Sequence, residues 1–248
     1  MKRITLLLTS AVIAIMSLFL VSCEGIIFSC LKGNGITIEE ERHPGEFTGI
    51  ISEGDYDVYI IVDSVYKVVI KADENLIPYI RTIVKSDKLI IDNGTRRCLR
   101  NDGDKPIEIY AHTPEVVYAA LEGSGVIYSD YLIYGDYLRV ELTGSGITDL
   151  RNIDVTELDA LITGSGEIEL WGLAGSGDLN ISGSGKIKAS HLEQDECSAS
   201  ISGSGDMYIF VYDFLDANIT GSGNIFYRGN PQINIKITGS GSLINNNK

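Results

Sequence analysis

The sequence predicts an all-β protein, a parallel β-helix or β-solenoid with rungs of about 18–21 residues that turn at Gly-Ser-Gly corners. Three observations predict it. The tripeptide begins at Gly123, Gly144, Gly164, Gly183, Gly203, Gly221 and Gly239, at successive spacings of 21, 20, 19, 20, 18 and 18 residues. Apolar residues alternate with polar ones on both sides of each copy, the period of a strand with one buried face. Glycine is abundant and proline scarce, 27 against 5 in 248 residues, which favours tight backbone corners over a proline-rich linker.

From the amino terminus, Met1-Lys2-Arg3 is a short basic start, followed by an apolar run of 18 residues from Ile4 to Val21 and by Leu20-Val21-Ser22-Cys23. A basic region followed by an apolar one is a secretory signal. A small residue before a cysteine resembles the bacterial lipoprotein box, and that resemblance implies cleavage before Cys23 and lipid on its sulfur. An 18-residue run is also just long enough to span a bilayer as an uncleaved anchor. Both alternatives put the globular part outside the cytoplasm. Residues 1–22 are thus expected to be signal peptide and 23–35 a lipid-anchored tether. One solenoid domain is expected over 36–248.

Residues 36–114 are rich in strand patterns, with "DVYIIV" at 57–62, "KVVIKA" at 67–72, "KLIID" at 88–92 and "PIEIYA" at 106–111. "ENLIPYIRTIV" (74–84) is read as holding a short helical turn. No linker-like composition separates this half from the next. It is read as irregular rungs, because an end rung must cap an exposed sheet edge.

Residues 115–248 form the regular part. Two residues before the first glycine stand Leu121, Leu142, Ile162, Ile181, Ile201, Ile219 and Ile237. Four before stand Ala119, Val140, Ala160, Leu179, Ala199, Ala217 and Ile235, and six before mostly Val117, Leu138, Leu158, Cys197, Leu215 and Ile233. Two after the last glycine come Ile127, Ile168, Ile187, Met207, Ile225 and Leu243, with Thr148 the exception. All of these should point inward. Leu132, Ile153, Leu173 and Leu192, seven after the last glycine, are assigned to the same interior. The out-of-step Gly-Ser-Gly at 175–177 is read as the other corner of its rung, using the same chemistry, and not as an extra rung. The serines, with Thr143, Thr163, Ser182, Ser202, Thr220 and Thr238 just before their copies, should stack into hydroxyl ladders at about 4.8 Å.

Cys197 falls at an inward position and reads as a small core residue. Cys30 and Cys98 remain as a candidate disulfide, permitted by an oxidising compartment.

"GEFTGIISEGDYDVYI" (45–60), followed by serial "ITGSG" and "ISGSGDM", closely resembles the family of putative auto-transporter adhesins with a head GIN domain, over roughly 40–245. The resemblance implies a right-handed, single-stranded β-helix in a secreted or membrane-anchored protein. It supplies no catalytic residues.

Candidate chemistry is sparse. His43, His112 and His191 are scattered, without partners at metal or triad spacing, so neither a metal nor a cofactor is called for. Gly-Ser-Gly lacks the lysine and the following helix of a P-loop. The residue after each corner is Asp only at Asp178 and Asp206, against repeated calcium binding. The formal net charge of −14 repels nucleic acid and anionic headgroups. Tyr128, Tyr131, Tyr134 and Tyr137 cluster in one rung and form a candidate ligand surface for a glycan or a protein, or else simply cover neighbouring strands.

The expectation is a non-catalytic lipoprotein of the cell envelope, at the outer membrane and facing the periplasm or the surface. Its role would be structural or adhesive. The alternative is a polysaccharide-acting β-helix enzyme using a carboxylate pair roughly 5–10 Å apart.

Overall fold

The computed structural model describes residues 29–247. Cys23 and the apolar segment before it lie outside them. About 72% of the described residues are strand, wound into a β-solenoid of about 6 turns.

The regular half contains β10 (Tyr118–Gly123), β11 (Val126–Ser129), β12 (Ile133–Gly144), β13 (Ile147–Gly164), β14 (Glu167–Gly183), β15 (Lys186–Gly203), β16 (Asp206–Gly221), β17 (Asn224–Arg228), β18 (Gln232–Gly239) and β19 (Ser242–Asn245). Every pairing among them is parallel, and each first glycine lies level with the next: Gly123 with Gly144, then Gly164, Gly183, Gly203, Gly221 and Gly239. The first glycines share φ between 124° and 149°. A Cβ on Gly164 would stand 2.5 Å from the Gly144 carbonyl oxygen, so both the angle and the stacking require glycine.

The corner ladder runs through the backbone. Ser165 N–H donates to Gly144 O at 2.9 Å, Ser184 to Gly164 O at 2.8 Å, and the other corners repeat the bond. Hydroxyl ladders do not form as expected. Among the described residues only Ser222 and Ser240 bring corner hydroxyls together, at 3.0 Å. An exposed hydroxyl is satisfied by solvent, whereas the backbone groups of stacked rungs must pair with one another.

The alternating columns pack inward as the pattern requires. Ile162, Ile181, Ile201 and Ile219 are buried, as are Ala160, Leu179, Ala199 and Ala217. Each fully buried Leu or Ile contributes roughly 1.5–3 kcal/mol. Several inward assignments fail: Val117 is only partly buried, with Val116 buried in its place, and Ile233, Ile235 and Ile237 in the last described rung are 40–46% exposed. Leu132 and Leu173 are each 50% exposed. The residues level with Ile153 are Ile133 and Gly172, because these rungs differ in length at the corner that follows Leu150. Gly-Ser-Gly 175–177 does lie at the rung's other corner, where Ser176 is level with Glu157 and Glu196. Its chemistry differs from the repeat corners, however. Neither Gly175 nor Gly177 takes a positive φ, and Gly177 occupies the inward column of Leu158, Cys197 and Leu215.

The amino-terminal half contains β1 (Leu31–Lys32), β2 (Thr37–Arg42), β3 (Gly49–Gly54), β4 (Tyr56–Val62), β5 (Lys67–Asp73), β6 (Ile80–Lys85), β7 (Lys88–Asn93), β8 (Leu99–Arg100) and β9 (Ile107–Thr113). Gly54 is level with Gly123, so Gly54-Asp55-Tyr56 is a corner of the same stack without the tripeptide. Beneath it β7 and β9 continue the parallel stack under β3 and β4. The direction then reverses. β6 pairs antiparallel with β7, and β5 and β2 antiparallel beyond β9. These reversed strands close the end of the interior, with 3-10 turns at Ile77–Tyr79 and Asp102–Asp104. β1 pairs with β8 alongside, and Cys30 is joined to Cys98.

Candidate functional site

Residues that alternate with the core columns point outward, and just past the Gly-Ser-Gly corner they form one continuous stripe along the stack. Tyr110, Tyr59 and Tyr128 stand level at its amino-terminal end, Asp149, Glu169 and Lys188 in the middle, and Tyr208 and Phe226 at the far end. Two residues further along for Arg151 and Trp171, and three for His191 because the register shifts between Glu169 and Trp171, these side chains form a second, parallel row.

The two rows interlock. Tyr59 stacks on Tyr110 with ring centres 5.0 Å apart, and Tyr128 meets Tyr59 edge-on at 6.2 Å. The Arg151 guanidinium lies 5.7 Å from the Tyr128 ring and 5.3 Å from the Trp171 ring, and bonds both oxygens of Asp149. Trp171 stacks on His191 at 4.1 Å, and its indole N–H donates to Glu169 Oε1 at 2.8 Å. Lys188 Nζ donates to Glu167 Oε1 at 2.5 Å, and that bond raises the lysine pKa, so it stays charged. Tyr208 and Phe226 stack nearly parallel at 4.7 Å. Between the stacks a shallow depression of about 260 Å³ is lined by Glu169, Lys186, Lys188, Ser190, His191 and Tyr208. Aromatic faces flanked by fixed carboxylates and ammonium groups suit a ligand with both apolar C–H faces and hydroxyls. The alternation rule and the register would have found this stripe. It escapes a rung-by-rung reading because its residues lie about 20 positions apart and no single rung looks unusual.

The four tyrosines predicted as a ligand surface do not share one face. Tyr128 belongs to the stripe. Tyr131 and Tyr134 stand exposed around the next corner, where Tyr134 is level with Asp154. Tyr137 lies at the third corner and donates to Asp159 Oδ2 at 2.6 Å. Of the histidines, His112 pairs with Asp63 at 2.8 Å and His43 with Glu41 at 3.1 Å. Among the described residues no group of His, Cys, Asp or Glu is arranged to hold a metal. Cys197 is buried, and burial pushes its thiol pKa far up.

A second depression, of about 400 Å³, lies near the disulfide and is lined by Asp55, Asp57, Arg100, Asp104 and Lys105 among others. Burial, with the charges of Asp55 and Glu108, raises the Asp57 pKa. Nearby, burial and the flanking Glu122 and Asp92 raise that of Glu53.

A family model described as "Putative auto-transporter adhesin, head GIN domain" matches residues 46–231. The fold is similar to that of a putative adhesin from Bacteroides fragilis, with TM-score 0.77 and 23% identity over 86% of this chain and 96% of that one. A putative lipid binding protein from Parabacteroides distasonis aligns with TM-score 0.69 and 26% identity over 87% and 98%. A putative adhesin from Parabacteroides merdae aligns with TM-score 0.68 and 22% identity over 88% and 100%. No curated protein matches the chain.

Proposed function

The chain belongs to the head GIN domain family of putative auto-transporter adhesins, and from that premise we propose that it is a non-catalytic binding module of the cell envelope, lipid-anchored through Cys23. The observation that carries the reading is the outward stripe of aromatic and charged side chains around Trp171. It is long, open and shallow, which suits an extended polymer lying along the stack better than a small molecule that needs enclosure. The ligand proposed is a glycan chain lying across the Trp171–His191 and Tyr208–Phe226 stacks, with its hydroxyls bonded to Glu169 and Lys188. In a panel of envelope and host glycans measured by calorimetry, Trp171→Ala and Tyr208→Ala should each weaken binding about tenfold, roughly 1.4 kcal/mol for each truncated aromatic contact. Tyr134→Ala, outside the stripe, should leave it unchanged. Equal affinities for all three variants would refute the assignment. Anchoring has its own test, since Cys23→Ala should leave the protein uncleaved or soluble, and unchanged processing with equal membrane partition would refute the lipid anchor.

The raised pKa of Asp57 beside Asp55 favours one competing reading, glycan hydrolysis. Turnover of any glycan that vanished in Asp57→Asn would establish it in place of the binding role.

A further inference from the structure

We infer that the insertion between β7 and β9 is a docking surface for an anionic phospholipid membrane, which sets the closed end of the solenoid on the bilayer that its lipid anchor enters. The inference rests on the anchor proposed at Cys23. Higher in the stack the chain turns from one face to the next within Gly54-Asp55-Tyr56 or within Gly-Ser-Gly. One rung below, where β7 lies under β3 and β9 under β4, the same turn takes residues 94–106. This long turn holds Arg96, Arg97, Arg100 and Lys105. Lys32 joins them, because β1 pairs with β8 and sets Lys32 level with Arg100. Lys32, Arg96, Arg100 and Lys105 are exposed. Of the five, only Arg100 has an ion-pair partner among the described residues, Asp104 at 3.5 Å.

The insertion cannot move away from the anchor. Leu31 N–H donates to Cys98 O at 2.8 Å, and Gly33 N–H to Arg100 O at 2.7 Å. Arg97 donates to Ser29 O at 2.7 Å and to Cys30 O at 3.3 Å, and Cys30 is bridged to Cys98. Ser29 is therefore fixed to the basic insertion. Between it and Cys23 stand residues 24–28, Glu-Gly-Ile-Ile-Phe. Fully extended, that stretch reaches about 20 Å, so the insertion is held close to the bilayer surface.

Charge selects the occupant. An anionic surface repels most of the chain, since between 115 and 247 the Lys and Arg are Arg139, Arg151, Lys186, Lys188, Arg228 and Lys236 alone. Asp102 and Asp104 lie within the insertion, Asp55 and Asp57 beside it, and Glu39, Glu40 and Glu41 on β2 of the cap. These carboxylates leave the contact to Arg96 and to the Lys32–Arg100 pair. Each basic residue brought within a Debye length of an anionic headgroup layer strengthens the contact about fivefold. A basic patch beside a lipid anchor holds a protein to the bilayer more firmly than the lipid alone.

The test uses the full lipidated chain in vesicles of phosphatidylcholine, with or without phosphatidylglycerol. Cys30 and Cys98 are bridged and Cys197 is buried, so with lipid on Cys23 an added cysteine takes a thiol-reactive fluorophore selectively. The fluorophore is placed at Thr95→Cys on the insertion or at Asp213→Cys, exposed on β16. A phospholipid spin-labelled on its headgroup quenches a fluorophore that it approaches. In anionic vesicles quenching at 95 should exceed that at 213 about fivefold or more, and adding Arg96→Glu with Arg100→Glu should bring it down to the level at 213. Arg96→Glu alone, at a side chain with no bond to the fold among the described residues, should fall between the two, and it keeps the test open should the double variant melt early. Equal quenching at 95 and 213, or at 95 with and without phosphatidylglycerol, or indifference to the reversed charges, would overturn the docking in a chain that floats with the vesicles. A chain that does not float with neutral vesicles would refute the anchor itself, and the docking with it.

Discussion

A Cβ on Gly177 would overlap the Gln194 side-chain oxygen, and its nearest other neighbour would be the same residue's Cδ at 3.0 Å. Gln194 therefore fills the space left by the one glycine in the column of Leu158, Cys197 and Leu215. Its own column is otherwise Val155, Ala174 and Val211, and neither amide atom has a hydrogen-bond partner among the described residues. Unpaired buried amide atoms cost about 1–3 kcal/mol. Gln194→Met keeps the volume and should raise stability by about 1 kcal/mol in urea titration. Gly177→Leu should be tolerated only together with Gln194→Val, with a coupling above about 1 kcal/mol. A loss of stability in Gln194→Met would show that the amide is bonded in the folded chain.

The pair also changes what a rung deletion should do. Removing Gly183–Ser202 joins Ser182 to Gly203 in register, since Ser182 is level with Ser202 and Gly183 with Gly203. The shortened solenoid should fold, yet it loses Gln194 and keeps Gly177, leaving a hole. Its melting midpoint should fall by several degrees, and Gly177→Leu in the deleted chain should recover part of the loss. Deleting only Gly183–Leu192 puts a corner where a strand belongs, and no cooperative transition is expected. Indistinguishable melts for the two deletions would contradict the register.

Corner glycines should divide sharply from other glycines. Gly164→Ala forces a side chain onto a φ of 130° and against the Gly144 carbonyl, and should cost on the order of 2–4 kcal/mol. A Cβ on Gly135 would meet nothing within 4 Å, and the residue does not take a positive φ, so Gly135→Ala should stay within about 0.5 kcal/mol of the parent. Equal melting points would remove the steric account of the repeat.

Acid should loosen the amino-terminal cap through Asp73. Burial pushes this carboxyl upward. Backbone N–H bonds from Asp102 at 2.9 Å and Gly35 at 3.0 Å, the Thr37 hydroxyl at 3.2 Å and the nearby Lys105 outweigh it, and the folded pKa is lowered. A folded pKa below the unfolded one adds stability that is present above about pH 4 and lost as the pH falls through the folded value. Asp73→Asn should flatten the part of the stability profile below about pH 4. An unchanged acid slope would assign the loss to other carboxylates.

The regular rungs were legible because each repeats the same constraint, glycine at the corner and alternation beside it. Ile201 inward and Ser202 outward follow from those two rules alone. Leu132 and Leu173 misled because rung length varies at a corner that has no fixed residue, and one extra residue turns a side chain from core to solvent. The antiparallel cap was hidden for a related reason, since a strand's alternation does not encode the direction in which it pairs. The binding stripe needed the register before Arg151, Trp171 and His191 could be seen as neighbours.

The join between Cys30 and Cys98 also sets how the molecule bears tension. A body held by its amino-terminal end and dragged by a bound polymer is pulled at residue 29. The pull enters Cys30, crosses the covalent bridge to Cys98 and reaches the rungs through the chain that leads into β9. The 68-residue loop between the two sulfurs, with every strand of the reversed cap, stays slack. Flow that strains the tether would therefore leave the cap unpeeled, and a reducing environment would place it in line with the force.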